Sequence, residues 1–369
     1  MVSVLDKKLL RDLAGLRGQV ITIALVVACG ITSYITMRSA YDSLLMSRDQ
    51  YYTDYHFADV FARLKRAPQA VANQLAAIDG VERVQTRVVE QVLVPMPQMT
   101  RPASGTIVSL DPHQRGFRLN DVYIKQGREL EPERHDEVLV IEGFAQAHHL
   151  QPGDRLPVVI NGTLRHLRIV GVALSPEYVM TLAPGQLSYD PGQTPVLWMN
   201  QDALAAAFRM EGAFNDVSLT LQRSAVPRQI LTQVDAILDR YGGFGAVGRD
   251  KQVSNYMLQG ELSQLDNMAG FVPYLFLFVA ALLVNVVLSR LIQLQRGVIA
   301  TLKAVGYPEL QIGGHFLKLV SVILFGGAVL GVVLGAWLGR EMMALYTDEF
   351  FRFPAPRYRL ELDAIAFSV

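Results

Sequence analysis

The side chains of this chain that are best suited to chemistry are a histidine pair and a run of acidic residues. His148 and His149 are adjacent, and neighbouring residues on a helix point in different directions, so the pair makes a poor metal chelate and predicts a solvated helix end. The acidic run lacks the ordered spacing of a calcium loop and predicts an exposed acidic turn. Its members are Glu129, Glu131, Glu133, Asp136 and Glu137.

Motifs of nucleotide-binding and hydrolytic enzymes do not occur in the sequence. There is no Gly-x-x-x-x-Gly-Lys-Ser/Thr segment, so the chain has no P-loop to cradle the phosphates of ATP. There is no Gly-x-Ser-x-Gly elbow, and the single Cys29 excludes an intramolecular disulfide and a multi-cysteine metal site. We therefore expect no enzyme activity and no metal or cofactor bound by this chain. If ATP and Mg²⁺ drive it, a partner ATPase must bind them.

A short segment near residue 300 has the pattern of a docking helix. Apolar residues recur there at helical spacing, Arg296 and Lys303 lie among them, and Gly306 ends the pattern. So short a segment cannot bury this stripe by itself, which predicts insertion into a groove of a partner, with Leu302 as the anchor and Lys303 as a charge at the rim. The apolar residues are Leu294, Val298, Ile299, Leu302 and Val305.

Glycine recurs at every fourth residue further along the chain. The residues are Gly327, Gly331, Gly335 and Gly339. Small residues at this spacing let a second helix approach closely within lipid. Glycine is also common in membrane-spanning helices in general, but four in register favour a packing face, and the sequence does not identify the partner helix.

Three apolar segments must position these residues. They are 18–40, 267–289 and 313–339, and each contains a run of about 20 residues without Asp, Glu, Lys or Arg, which is long enough to cross a bilayer. The composition agrees, because only 18% of residues are charged and 51% are hydrophobic, whereas about a quarter of a soluble chain is charged. We predict three transmembrane helices, the first of them uncleaved because it is too long for a signal peptide.

The basic N-terminus determines the expected topology. Residues 1–17 carry four Lys or Arg residues and read as an amphipathic helix on the cytoplasmic surface of the membrane. The chain is then a multi-pass protein of the cytoplasmic (inner) membrane. The remaining segments are 41–266 outside the cytoplasm, 290–312 as a cytoplasmic coupling loop, 340–360 outside, and 361–369 as the start of a truncated fourth span.

The large outer segment has the pattern of an α+β domain. Strand–helix–strand patterns recur at about 55–94 and 211–250, which predicts a small module built from both ends of the segment. An inserted β-rich lobe is expected at about 95–210, where Asn161-Gly162 predicts a type I′ hairpin. The small acidic excess of residues 41–266 argues against nucleic acid as a partner. The predicted fold class is a helical membrane protein with a large extracytoplasmic α+β domain.

Two short motifs carry a family resemblance. The octapeptide Ile299–Gly306 and the tetrapeptide Leu10–Leu13 (LRDL), together with the span–loop–span–span layout, resemble FtsX-like (MacB-type) ABC transporter permeases. Where that family usually has an acidic residue before the isoleucine, this chain has Gly297-Val298. The resemblance implies a porter-like outer module and a separate P-loop ABC ATPase docked under residues 290–312. It also implies a second permease copy or homologous half, surrounding membrane lipids, and an optional periplasmic adaptor.

The function implied by the resemblance is to couple ATP hydrolysis by the partner ATPase to work across the membrane. The work would be export or extraction of a bulky amphiphile, or mechanotransmission to partners outside. A membrane-anchored extracytoplasmic binding or signalling protein without an ATPase is the alternative. Co-purification with a P-loop ATPase distinguishes the two.

Overall fold

The computed structural model describes residues 4–97, 99–181, 190–355 and 357–359. Within them, the helices are α1 (Val4–Gly15), α2 (Arg17–Asp54), α3 (Val71–Ala76), α4 (Glu142–Ala147), α5 (Gln201–Phe208), α6 (Pro227–Leu238), α7 (Val253–Leu294), α8 (Arg296–Ala304) and α9 (Glu309–Leu345). The strands are β1 (Val60–Pro68), β2 (Val81–Arg87), β3 (Val89–Val94), β4 (Ala103–Leu110), β5 (Tyr123–Gly127), β6 (Glu137–Ile141), β7 (Arg155–Ile160), β8 (Thr163–Leu174), β9 (Val196–Asn200), β10 (Ala213–Leu221) and β11 (Gly243–Gly248).

These elements form two compact units. The helical unit contains the described residues of 1–46 and 261–346, together with 357–359. The α+β unit contains the described residues of 47–260, together with 347–355. The predicted start of a fourth span, residues 361–369, lies outside the described residues.

The helical unit contains three long helices that are apolar enough to cross a membrane. Helices α2, α7 and α9 have 38, 42 and 37 residues, and each has a window apolar enough to cross a membrane. At about 1.5 Å per residue they are roughly 55 to 63 Å long, so a bilayer core of about 30 Å covers only part of each. The three predicted spans lie inside these helices.

The core of the helical unit is an apolar cluster to which α2 and α9 contribute most of the buried residues, with Leu9 of α1 and Ala280 and Leu291 of α7. Branched apolar side chains recur on α2 at every fourth residue, and apolar side chains recur on α9 at a spacing of three or four, so both helices present an apolar stripe. The buried residues that these two helices contribute include Ile23, Val27, Ile31 and Ile35 on α2 and Ile312, Phe316, Leu319 and Ile323 on α9.

A four-stranded antiparallel sheet lies in the α+β unit. Its strand order is β11-β1-β10-β2, so both ends of the large outer segment contribute two strands each. Helices α3 and α6 cover one face with Val71 and Leu75 on α3, and Ile230, Val234 and Leu238 on α6. These positions are four residues apart on each helix, which is why each short helix buries a single stripe.

The inserted lobe is a seven-stranded sheet that closes on itself. Its order is β5-β8-β6-β9-β4-β3-β7, and β7 pairs with β8 as well as with β3, so six strands form a ring. The β7–β8 connection is Asn161-Gly162, with φ of 47° and 77°, as a type I′ turn requires. The predicted hairpin is confirmed.

One boundary of the predicted module is wrong. Residues 89–94 form β3 of the closed sheet, although the first strand–helix–strand half was expected to extend to residue 94. Val89, Val92 and Val94 are buried in the core of the inserted lobe, so this strand belongs to the second core. The two ends of the lobe then meet, because the Asn215 side chain accepts a hydrogen bond from Val89 N at 2.8 Å and donates one to Val89 O at 3.1 Å.

A buried ionic cluster stabilises the α+β unit. The guanidinium of Arg87 lies between two carboxylates, 2.7 Å from Asp216 Oδ1 and 2.6 Å from Glu177 Oε2. Asn120 Nδ2 donates a further hydrogen bond to Glu177 at 3.1 Å. Arg87 is only 5% exposed, so its charge depends on these partners.

Candidate functional site

The histidine pair lies at a helix end, as predicted. His148 follows α4, and its Nε2 lies 2.8 Å from the carbonyl oxygen of Gly192, while its ring packs against Phe144 at 4.5 Å between centroids. His149 is exposed and has a positive φ of 53°. Among the described residues, no group of three or more His, Cys, Asp or Glu side chains is arranged to hold a metal ion.

The acidic run differs from the predicted exposed turn at Glu137. This side chain is fully buried, and Arg128 Nη1 donates a hydrogen bond to its Oε2 at 2.9 Å. Burial raises the pKa of Glu137, but the hydrogen bonds from Arg128 and from the backbone N–H of Glu131 outweigh it and hold the pKa below its usual value. Because Arg128 neutralises its charge, Glu137 can occupy a core position. The spacing of acidic residues in the sequence does not reveal this burial.

The predicted docking helix is α8, which begins directly after α7. It ends at the predicted place, because Gly306 has a φ of +99° and its N–H donates to Lys303 O at 3.0 Å. Tyr307 N donates to Leu302 O at 3.1 Å, which closes the last turn. Pro308 then precedes the first residue of α9. The segment is therefore a short helix held between two membrane-spanning helices by tight turns.

The apolar residues of this segment divide between two faces. Ile299 and Leu302 are half-buried and pack against the core of the helical unit. Leu294, Val298 and Val305 are 73%, 46% and 72% exposed and form what we call the exposed stripe. Leu302, the predicted anchor, therefore already has intramolecular neighbours, whereas Leu294, Val298 and Val305 leave more of their side-chain surface open to a partner.

Charged residues border the exposed stripe. Arg296 is exposed at the start of α8, and Lys303 Nζ lies 2.5 Å from Glu309 Oε1 at the start of α9. Leu310 is 88% exposed and extends the apolar surface past Gly306, the predicted end of the helix, within the predicted loop 290–312. The sequence analysis missed Leu310, although its position next to the predicted loop helix was a usable signal.

Helix α1 packs against the core of the helical unit. Leu9 is 8% exposed and packs there with Leu13 and with Leu16, which follows the helix. The position of α1 at the membrane surface stays a prediction. The same core contains Ile312 and Phe316 of α9 and receives Ile299 and Leu302 of α8. Helices α1, α8 and α9 therefore share one apolar cluster.

The glycine face packs against α2, which is the partner helix that the sequence left open. A Cβ at Gly331 would lie 2.8 Å from Ile31 Cβ, and one at Gly335 would lie 2.8 Å from Ile35 Cβ. A Cβ at Gly327 would lie 2.7 Å from the carbonyl oxygen of Ala24, and one at Gly339 would collide with Ser39 Oγ. These separations leave no room for a side chain at any of the four positions.

Two threonines of α2 join the same interface. Thr32 Oγ1 donates to Gly331 O at 3.2 Å, and Thr36 Oγ1 donates to Gly335 O at 3.3 Å. Hydroxyl–carbonyl bonds of this kind reinforce close helix packing in lipid. The sequence analysis did not assign these threonines a role. Their spacing of four residues, matched to the glycine spacing, was the available signal.

Comparison with known proteins places one part of the chain in a family. Residues 270–356 match the family model described as FtsX-like permease C-terminal. Among curated proteins no match was found.

Two solved structures match about half of the chain at low similarity. The periplasmic region of MacB from Actinobacillus actinomycetemcomitans matches with a TM-score of 0.35 and 11% identity, over 56% of this chain and 95% of that one. The extracellular domain of the noncanonic ABC-type transporter YknZ from Gram-positive bacteria matches with a TM-score of 0.34 and 11% identity, over 52% of this chain and 98% of that one.

The family match and the three apolar helices agree with each other. The match covers α8 and α9 and the second half of α7, which contain two of the three candidate spans. The predicted resemblance, and the predicted class of a multi-pass membrane protein with a large α+β domain, are confirmed.

Proposed function

We propose that this chain, an FtsX-like permease by its residues 270–356, is the membrane subunit through which a separate ABC ATPase performs work across the cytoplasmic membrane. The single observation that carries the proposal is the exposed stripe of α8. Val298 lies on the nine-residue helix α8, and the other two exposed side chains flank it, Leu294 as the last residue of α7 and Val305 as the residue after α8. Two membrane-spanning helices hold this segment in place. A groove on a partner would cover this stripe in the helix-in-groove manner.

The route from the ATPase to the membrane would begin at α8. Gln295 alone separates α8 from α7, and Val305–Pro308 separate it from α9, so a displaced α8 pulls on both helices. The close contact of the glycine face with α2 would carry the displacement of α9 to the first span, because packed interfaces resist deformation. ATP and Mg²⁺ would be bound entirely by the ATPase, since this sequence has no P-loop.

The output would be movement of the α+β domain. Helices α2 and α7 each contribute residues to both compact units, so displacement of these helices reaches the domain through unbroken helix. This arrangement supports a lever rather than a charged channel, and it suits extraction or export of a bulky amphiphile as well as mechanotransmission. A second copy or a homologous half would complete the permease, with an extracytoplasmic adaptor as an optional partner.

The test is capture of the ATPase by variants of the exposed stripe. A double variant, Val298→Asp with Val305→Asp, places two charges where we expect a buried groove. Loss of a buried interface anchor costs about 2 kcal/mol or more, which is roughly a thirtyfold loss of affinity. We expect the double variant to reach the membrane and to lose the ATPase during purification in detergent.

Two controls separate docking from general damage. Val226→Asp introduces the same change at a residue that is 53% exposed in the α+β unit, and it should retain the ATPase. Lys303→Ala removes a charge at the border of the stripe and should weaken binding only slightly. If no P-loop ATPase accompanies the wild-type chain, the transporter proposal fails and the anchored binding protein takes its place.

A further inference from the structure

A polar junction lies beside the apolar cluster that α1, α8 and α9 share. The Asp12 carboxylate accepts a hydrogen bond from Lys8 Nζ, and His315 Nε2 lies 3.3 Å from the same Oδ2 atom. Lys8 Nζ also donates to Gln295 Oε1 at 2.8 Å. Helices α1 and α9 therefore meet in one hydrogen-bond network with Gln295, the single residue between α7 and α8.

The junction is shielded from water on most sides. His315 is 5% exposed, and the side chain of Asp12 is 13% exposed. Leu9 and Phe316, the chain neighbours of Lys8 and His315, are both buried in the adjacent cluster. Hydrogen bonds to a charged group in such a setting are stronger than surface pairs, and a buried group left without its partner is costly.

The junction gives a role to a motif that docking does not explain. Asp12 is the acidic residue of the LRDL tetrapeptide, and its carboxylate is the group on which Lys8 and His315 converge. Its alternative, a solvated charge on a surface helix, is excluded by the low exposure of its side chain.

We infer that Asp12 is a positioning residue for the coupling helix. Through Lys8 and Gln295 it fixes the point at which α7 ends and α8 begins, and through His315 it fixes α1 against α9. Helix α1 is then a brace, and the exposed stripe of α8 is held in its docking orientation before the ATPase arrives. Binding to a pre-ordered helix avoids the entropy loss of ordering it at the moment of association.

The experiment rests in part on the proposed function, so it uses one readout that needs no ATPase. In the full chain with Cys29→Ser, a nitroxide label on Ala300→Cys, an exposed residue of α8, reports the mobility of that helix in detergent. The second readout is the dissociation constant for the co-purified ATPase.

The variants form a matched set. Asp12→Asn and Lys8→Gln should raise the mobile fraction of the label and weaken ATPase binding about three- to tenfold, in line with the loss of pre-organisation. Lys7→Gln removes the same charge from the neighbouring, exposed lysine and should match wild type in both readouts. Asp12→Glu keeps the carboxylate and should restore most of the order.

Two outcomes would overturn the inference. One is an unchanged label spectrum in both Asp12→Asn and Lys8→Gln. The other is an equal effect of Lys7→Gln and Lys8→Gln, which would assign the effect to net charge rather than to the junction. If wild type binds no ATPase, the proposed function fails, and the label spectra still decide whether Asp12 orders α8.

Discussion

Replacing Gly331 by leucine should separate α9 from α2. A Cβ at this position would lie 2.8 Å from Ile31 Cβ and 2.9 Å from the carbonyl oxygen of Ala28. Carbon atoms in favourable contact are about 3.5–4.0 Å apart, so the first carbon of the side chain already intrudes by roughly 0.7 Å or more. Neither obstacle can rotate away, because the positions of a carbonyl oxygen and of a Cβ atom are both set by the backbone.

The expected loss follows from these contacts. Overpacking a close interface costs about 1–3 kcal/mol per site, and leucine, with three more carbons beyond Cβ, belongs near the upper end. Leucine is also a better helix former than glycine by about 0.8 kcal/mol, which offsets part of the loss. We expect a net loss of about 2 kcal/mol for Gly331→Leu and about 4 kcal/mol when Gly335→Leu is added.

The assay is unfolding of the purified chain in mixed detergent micelles, followed by circular dichroism, with alkaline extraction of membranes to verify insertion. Gly326→Leu is the matched control, because it lies on the same helix and a Cβ at that position would have no atom within 4 Å. Equal stability of the Gly331→Leu variant and wild type, or an equal loss in Gly326→Leu, would refute the packing role of the glycine face.

Three further predictions concern the α+β unit. With Cys29→Ser, a cysteine replacing Leu164, which is 54% exposed, should react with an impermeant thiol reagent in spheroplasts, and labelling only after lysis would reverse the topology. Arg87→Ala should destabilise the unit by about 3–5 kcal/mol in urea unfolding because two buried carboxylates lose their partner, whereas the half-exposed Arg134→Ala should cost less than about 1 kcal/mol. Since the pKa of Glu137 is lowered in the folded state, its stabilisation is present above its ordinary pKa of 4.5 and is lost as pH falls below it, and Glu137→Gln should flatten that acid limb.

Local patterns in the sequence were sufficient for much of this fold. Runs of residues without charge predicted the three long helices, and Asn161-Gly162 predicted its hairpin. Both signals are local, because each depends only on residues that are close together in the sequence. Gly306 predicted the end of α8 for the same reason, since only its own backbone conformation is involved. The glycine spacing predicted a packing face. It could not identify α2 as the partner helix, because the spacing of residues on one helix carries no information about which other helix packs against it.

What the sequence did not reveal depends on contacts between distant residues. Leu302 and Val305 are both apolar, yet one is half-buried and the other is 72% exposed, because Leu302 packs against the core of the helical unit and Val305, the residue after α8, does not. Asp12 and His315 are 303 residues apart in sequence. Glu137 is polar by type and buried in fact, because Arg128 neutralises it. A sequence pattern predicts the burial of each of these residues from its own type. In the structure, their burial is determined by side chains that are distant in the sequence.

The meeting of the lobe's two ends at Val89 and Asn215 has a consequence for the order in which the α+β unit folds. Strands β1 and β10 are adjacent in the four-stranded sheet, although the whole inserted lobe separates them in the chain. Each doubling of the length of a flexible loop adds about 0.6 kcal/mol to the entropic cost of bringing its ends together. An unfolded lobe is roughly five doublings longer than a tight turn, so pairing β1 with β10 across it costs about 3 kcal/mol more. Once the ring of six strands has closed, the two ends of the lobe already lie side by side. The folded lobe then connects the strands of the four-stranded sheet as a short, rigid turn would. We therefore expect the inserted lobe to fold first and the strands of the four-stranded sheet to pair afterwards.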